Sequence, residues 1–445
     1  MSAVVAVLLL AVSAWPLGRR LASALPPPAS AACRVATEIL AGLVAGAGLV
    51  HVLVSIGVPM KAAFGIVGAI GVGASVFGPL PSARGASSTL PRMFGPLVAL
   101  VLVTTTAAPL VEGLNRAPRR NDAEFIWLPK AERLFDEIPP IPWSAPEHAH
   151  AEYPRGWPAL VAAAGAFDQP VPDEAPNVVG VLFMTLVLLA IVDAAASRGR
   201  PWAGIAAAAV LGLNPEWSAL SCSGLADLPL SAALLLVVMA TPRDEDGAPS
   251  LAVAAAFGAA CLKDEGWVLL VAVGGAAALR AVRARSPRPL LPSAIAWGLL
   301  VPWLVLRAPV GSRTTLLVPW LPENAGWLFR RIAETAKELL HMGFGDGRTY
   351  AEFPGIAAGS MVVFSVVVVA SGAVLVIGGP YKLRTPAMLG AAAFAVWCVT
   401  PDPLRWHVWT SADRIACQLA PAVLLAGFCA LWTPRQGAVG GSPHN

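Results

Sequence analysis

Charge is scarce in this chain. Of its 445 residues only 13% are Asp, Glu, Lys or Arg, while 56% are hydrophobic. Water-soluble domains carry roughly 25% charged residues, so a soluble globular domain is excluded at the outset. The few charges nearly cancel, to a formal +4, and give no case for nucleic acid as a partner. Cysteine is sparse too. Cys33, Cys222, Cys261, Cys398, Cys417 and Cys429 are scattered, mostly inside apolar runs, with no Cys-x-x-Cys pair. That suggests neither a disulfide framework nor a zinc site. The N-terminal MSAVVAVLLLAVSAWPLGRR lacks the leading basic residues of a signal peptide; Arg19 and Arg20 follow its apolar stretch, so it reads as a membrane helix that stays. Nowhere is there the out-in alternation of a membrane β-barrel.

What is abundant is hydrocarbon. The mean hydropathy is +0.67, and runs such as VVGVLFMTLVLLAIVDAAA and MVVFSVVVVASGAVLVIGG are long enough to cross ~30 Å as helices. Lipid cannot hydrogen-bond a backbone and a helix satisfies its own, so the pattern predicts an all-α, polytopic membrane bundle. Reading about 20 residues per span gives about thirteen spans. Their cores are 2–18, 35–58, 62–80, 94–112, 178–196, 202–218, 226–241, 250–263, 266–280, 290–307, 353–378, 386–400 and 414–432.

Basic residues set the orientation. Arg19, Arg20, Arg34, Arg84, Arg92, Arg198, Arg200, Arg243, Arg280, Arg283, Arg285, Arg288, Lys382, Arg384 and Arg435 fall in one set of short loops. The opposite set holds only Lys61, Lys263, Arg405 and Arg414. The positive-inside rule places the first set in the cytoplasm, and the long loops of about 113–177 and 308–352 outside. Asp122, Glu124, Asp227, Asp264, Glu265, Asp402 and Asp413 then all fall at external helix ends. Carboxylates at membrane depth are costly unless paired or functional.

Several external segments carry chemistry. In NDAEFIWLPKAERLF, Asp122 and Glu124 stand two apart, so in a turn or extended segment both can face one cavity. They could act as a general base, as metal ligands or as a clamp for hydroxyls. The same segment could equally be a charged juxtamembrane helix with Glu132, Arg133 and Asp136 on its wet face and Phe125 and Trp127 at the interface. HAHAEYPRGWPALVAAAGAF has too few apolar residues to span and reads as a re-entrant or in-plane segment with Glu152 and Tyr153 at its mouth. His148 and His150 read as solvated histidines. SGLADLPL puts Asp227 in the first turn of a span, where capping and the macrodipole also favour an acid. CLKDEGW is a tight turn, and TPDPLRWHVWTSADRIACQLAP gathers Arg405, His407, Ser411, Asp413 and Arg414 in a short loop before the last span. Arginine there suits bidentate phosphate recognition or anchoring to headgroups. ENAGWLFRRIAETAKELLHMGF, with Leu328, Ile332, Ala336 and Leu339 at helical spacing, fits an interfacial helix.

Taken in order, NDAEFIWLPKAERLF, EYPRGWPAL, GLADLPL, LKDEGW and WHVWTSADRIACQLAP resemble the GT-C superfamily of membrane glycosyltransferases. The likeness is to the branch of dolichyl-phosphate-mannose–protein mannosyltransferases and lipid A aminoarabinose transferases. It covers about 94–433, with 1–93 as additional N-terminal helices and 434–445 as a cytoplasmic tail. The resemblance implies a plasma (inner) membrane enzyme with an extracytoplasmic site. It would move a sugar from a polyprenyl-phosphate donor to a lipid, glycan or protein acceptor, usually with inversion. The first-loop acid, the family's expected base, maps onto Asp122, and the second external acid onto Asp227. This chain has Asp122-Ala-Glu124 where several relatives have adjacent acids, which leaves open which of the two is the base. Lys263, Arg405, Arg414 and Arg348 are candidates for the lipid phosphate, with Glu265, His407, Asp413, Glu152 and Tyr153 as further substrate contacts. The need for a divalent metal, magnesium or manganese, stays open; Asp122, Glu124 and Asp227 would be its ligands. Two alternatives stand beside this reading: a transporter or flippase of lipid-linked sugars, and a non-catalytic membrane protein of the same fold.

Overall fold

The structure, a computed structural model, describes residues 3–28, 30–77, 91, 93–115, 123–136, 153–164, 171–240, 249–307, 330, 331, 333–335, 337 and 404–431. Every regular element among them is helical and no strand occurs. The N-terminal helices are α1 (Ala3–Ala22), α2 (Ala31–Ser55), α3 (Met60–Phe77) and α4 (Phe94–Asn115). A π-helical turn, Ala123–Trp127, leads into α5 (Leu128–Phe135) and then the short α6 (Gly156–Ala164). There follow α7 (Ala175–Ala196), α8 (Pro201–Gly212), α9 (Pro215–Ser221), α10 (Asp227–Ala240), α11 (Pro249–Leu262), α12 (Gly266–Ala284) and α13 (Leu291–Arg307). The last described helix is α14 (Leu404–Leu431). Six helical segments, including α1, α2, α4, α7 and α12, are long and apolar enough to cross a membrane, and the chain is a membrane-embedded helical protein. The expected spans 353–378 and 386–400 lie outside the described residues.

Burial sorts the helices into a centre and a rim. Helices α7 and α10 are buried around nearly their whole circumference. The rim helices α1, α3, α4, α12 and α13 turn Leu8, Val12, Val76, Val103, Val111, Val282 and Val305 outward. An outward face of aliphatic side chains is what a hydrocarbon solvent requires, and water would penalise it.

Helix α2 belongs to the centre. It packs against α1, α7 and α11, with Leu40, Val44, Ala47 and Val50 fully buried. Its contact with α11 is so close that a Cβ on Gly258 would lie 2.2 Å from the Val44 carbonyl oxygen. Polar contacts hold both its ends. Near the start, Arg34 Nε donates to Asp193 Oδ2 at 2.9 Å and Thr37 Oγ1 donates to the same oxygen at 3.1 Å. Near the finish, the Arg155 backbone N–H donates to His51 Nδ1 at 3.1 Å.

Sequence expectations change at three places. The span 202–218 is two helices, because Pro215 starts α9 and Asn214 caps it, its side chain accepting from the Trp217 N–H. Residues 404–413, expected as loop, are the first turns of α14; at 28 residues this helix runs about 42 Å, well beyond the ~30 Å core. Helices α10 and α11 have 14 residues each, about 21 Å, too short to cross alone, and lie buried among longer neighbours. Within 148–167, expected as a re-entrant or in-plane segment, the described residues form a nine-residue helix, α6, enclosed by protein.

Candidate functional site

The site grows from Asp227 at the first residue of α10, where the helix macrodipole favours a negative charge. Its side chain is 1% exposed, and both oxygens are surrounded by donors. Oδ1 accepts from Lys263 Nζ at 2.9 Å and from Gln418 Nε2. Oδ2 accepts from Arg414 Nε at 3.2 Å and Nη2 at 3.1 Å. A carboxylate offers about four lone-pair positions, and these contacts occupy them. The tight turn from α11 into α12 supplies Lys263, which also pairs with Glu265 Oε1 at 2.9 Å. Burial pulls the Lys263 ammonium down, but Asp227 and then Glu265 outweigh it and hold it above its ordinary value. Arg414 and Gln418 stand one turn apart on α14, so a helical period aims both at the same carboxylate.

Helix α6 joins this cluster to the first-loop segment. Trp157 Nε1 donates to the Gly224 carbonyl at 3.0 Å, just before Asp227. At Gly156 a Cβ would stand 2.5 Å from the Cys261 carbonyl, just before Lys263, so only glycine allows this approach. On its other side α6 packs against α5. There the Trp127 ring lies 5.6 Å from that of Tyr153, with Lys130 Nζ over both at 5.6 and 5.4 Å. The residue before Gly156, Arg155, lies over the Trp303 ring at 5.8 Å, and burial lowers its guanidinium to about 10, still charged at neutral pH.

A second buried pair, Arg34–Asp193, marks the opposite end of the bundle. Along α2, Arg34 and His51 are about 26 Å apart at 1.5 Å per residue. Arg198 Nη2 donates to the Met239 carbonyl at 3.3 Å, near the far end of α10 from Asp227. Arg200 Nη1 donates to the Cys429 carbonyl, near the far end of α14 from Arg414. Arg34, Arg198 and Arg200 therefore gather at one end, and the Asp227 cluster sits at the other.

No family model matches the chain, and no curated protein or solved structure is detectably similar to it.

Of the residues singled out in the sequence, Asp227, Lys263, Glu265 and Arg414 come together. Glu124 is exposed in the π-helical turn, and among the described residues no hydrogen bond or ion pair joins it to Asp227. Tyr153 is half-buried against Trp127. Trp127, expected at the interface, is only 1% exposed; Ala123, Trp127, Ala131 and Phe135 form one buried stripe at a spacing of four. Asp122, Glu152, His148, His150 and Arg348 lie outside the described residues, as do the side chains of Arg405, His407 and Asp413 in α14. Asp227 is poorly suited to be a base or a metal ligand, since its lone pairs are spent on cations and an amide. Its geometry is that of an anchor for Lys263 and Arg414. Among the described residues no three His, Cys, Asp or Glu side chains gather into a metal-binding group.

Gln418, Asp193, Arg155 and His51 were missed. Asp193 was signalled as the one ionisable group inside VVGVLFMTLVLLAIVDAAA, whereas Gln418 is a neutral amide with no such local signal.

Proposed function

We propose that the protein is an integral-membrane glycosyltransferase with a GT-C-like bundle of about thirteen spans, seated in the plasma (inner) membrane. It moves a sugar from a polyprenyl-phosphate donor to a lipid, glycan or protein acceptor on the extracytoplasmic face. One observation carries the reading. The segments EYPRGWPAL, GLADLPL, LKDEGW and the ADRIACQL part of α14, far apart in sequence, touch one another around Asp227, Lys263 and Arg414. They do so at the end of the bundle opposite Arg34, Arg198 and Arg200. By the positive-inside rule the arginine end is cytoplasmic, which puts the cluster outside.

The chemistry follows from charge. A sugar–phosphate bond breaks with its electron pair on the lipid phosphate, and Lys263 and Arg414, held in place by Asp227, are cations suited to receive that charge. The acceptor hydroxyl forms the new bond at the anomeric carbon from the opposite face and gives its proton to a carboxylate. Asp122, or Glu124 in the π-helical turn that leads into α5, takes this part. A divalent ion does not fit Asp227, and no step here passes through one. The transporter alternative calls for ionisable groups near the bilayer midplane; among the described residues the buried ones, Arg34, His51, Arg155, Asp193, Asp227 and Lys263, stand near helix ends or in turns.

The test uses the purified full chain in nanodiscs, supplied with a panel of polyprenyl-phosphate sugars and assayed for release of polyprenyl phosphate. Asp122→Asn is expected to abolish transfer while expression and insertion persist. Undiminished turnover in that variant would remove the assignment of the base. If the wild type consumed no donor in the panel, the transferase reading would fall.

A further inference from the structure

Gln418 is 1% exposed, in the apolar stretch of α14, and the orientation of its carboxamide is fixed by chemistry. A carboxylate can only accept, so Nε2 must face Asp227 Oδ1 and Oε1 must face away. That Oε1 is buried and, among the described residues, has no hydrogen-bond partner. Leaving a buried acceptor unsatisfied is costly, a cost that a methionine or leucine at this position would avoid. On the same Asp227 oxygen sits Lys263 Nζ, with two of its three N–H groups directed at Asp227 and Glu265. The cluster therefore offers a cationic donor and an unspent acceptor around one carboxylate oxygen.

Phosphate at neutral pH chiefly accepts hydrogen bonds, so it can use Lys263 and Arg414 but has little to give Gln418. A hydroxyl both accepts and donates. We infer that Gln418 reads the sugar of the donor, its Oε1 accepting from a ring hydroxyl while Lys263 and Arg414 take the adjoining phosphate. This rests on the transferase reading and adds to it a specificity-determining residue. A site built to hydrogen-bond a hydroxyl discriminates strongly against ligands that lack it, because its own polar group is then left unpaired.

The experiment measures binding to the full chain in nanodiscs by calorimetry. The probes are farnesyl phosphate and its mannosyl, glucosyl and arabinosyl esters. The wild type is expected to bind the best of the three glycosyl forms at least ~10-fold more tightly than bare farnesyl phosphate. Gln418→Met should bring that preference to within about twofold. The same glycosyl probe with its hydroxyls O-methylated should lose the preference in the wild type, a readout that needs no variant. A folded Gln418→Met protein that keeps the full preference overturns the inference, as does a wild type with no glycosyl preference. If Arg414→Met loses both bare and glycosyl binding while Gln418→Met loses neither, this inference alone fails. If the wild type binds no lipid phosphate, the transferase reading fails with it.

Discussion

Replacing Asp227 by Asn keeps the shape of the side chain and removes its charge. In the native protein the carboxylate faces Lys263 at 2.9 Å and Arg414 at 3.1 Å, all three largely withdrawn from water. Each contact carries about 5 kcal/mol of Coulomb attraction at an effective dielectric of ~20. Desolvation offsets most of that, so the intact cluster contributes little net stability. Breaking it is another matter. Asp227→Asn leaves two buried cations facing a neutral amide, a loss of about 3–5 kcal/mol out of a total stability on the order of 5–15 kcal/mol. Lys263→Met alone leaves Asp227 with Arg414 and Gln418 and should cost less, about 1–3 kcal/mol. The double variant removes one cation together with the anion, so the two losses should fall short of additivity by at least ~1.5 kcal/mol. Unfolding of the four proteins as a function of SDS mole fraction, followed by steric trapping, measures the cycle. An Asp227→Asn protein within about 1 kcal/mol of wild type, or single losses that add within ~0.5 kcal/mol, would refute the reasoning.

Three further outcomes are expected. Glu132 in α5 is raised above its ordinary value by partial burial and then by the nearby Asp173 and Asp136. The folded state therefore holds that proton more tightly than the unfolded chain, so local stability is greatest below the ordinary glutamate pKa and declines as pH rises through the raised one. Amide exchange in α5, corrected for intrinsic rates, should show this decline in the wild type and not in Glu132→Gln. Gly258→Ala forces a Cβ to within 2.2 Å of the Val44 carbonyl and should destabilise the α2–α11 contact by about 1–3 kcal/mol, read as a lower thermal midpoint in detergent; an unchanged midpoint would count against the close packing. For sidedness, a cysteine placed at Glu265 should react with an impermeant maleimide from outside intact cells, and one at Arg283 only after permeabilisation; the reverse pattern would invert the topology.

The bundle was legible where composition alone decides. Helices α2, α4, α7 and α12 are uninterrupted apolar runs, and lipid leaves such runs no option but helix. The boundary inside 202–218 was hidden because Asn214 and Pro215, a cap and a first-turn proline, sit within a run that a 20-residue template reads as one span. The extra turns of α14 were hidden for the converse reason, since polar residues continue a helix past the bilayer without any apolar signal. At the site, Asp227, Lys263 and Arg414 stood out as charges at helix ends, but their partnership did not. They lie 36 and 187 residues apart, and nothing local records a contact of that range. Gln418 was invisible because a neutral amide in an apolar run draws no attention until the carboxylate beside it is known.

Helix α2 is pinned near both ends, by Asp193 in the layer at one end of the bundle and by the Arg155 backbone in the layer at the other. It therefore behaves as a strut whose length fixes the separation between those two layers. A chain begun at residue 94, where the resemblance to a transferase starts, would lack that strut. Asp193 would lose Arg34 and Thr37, α11 would face a vacant groove along Gly258, and the Arg155 backbone N–H would lose its histidine acceptor. The first 93 residues are then part of the machine's frame, and cutting them away should dismantle the site some 26 Å from where the first of those contacts is broken.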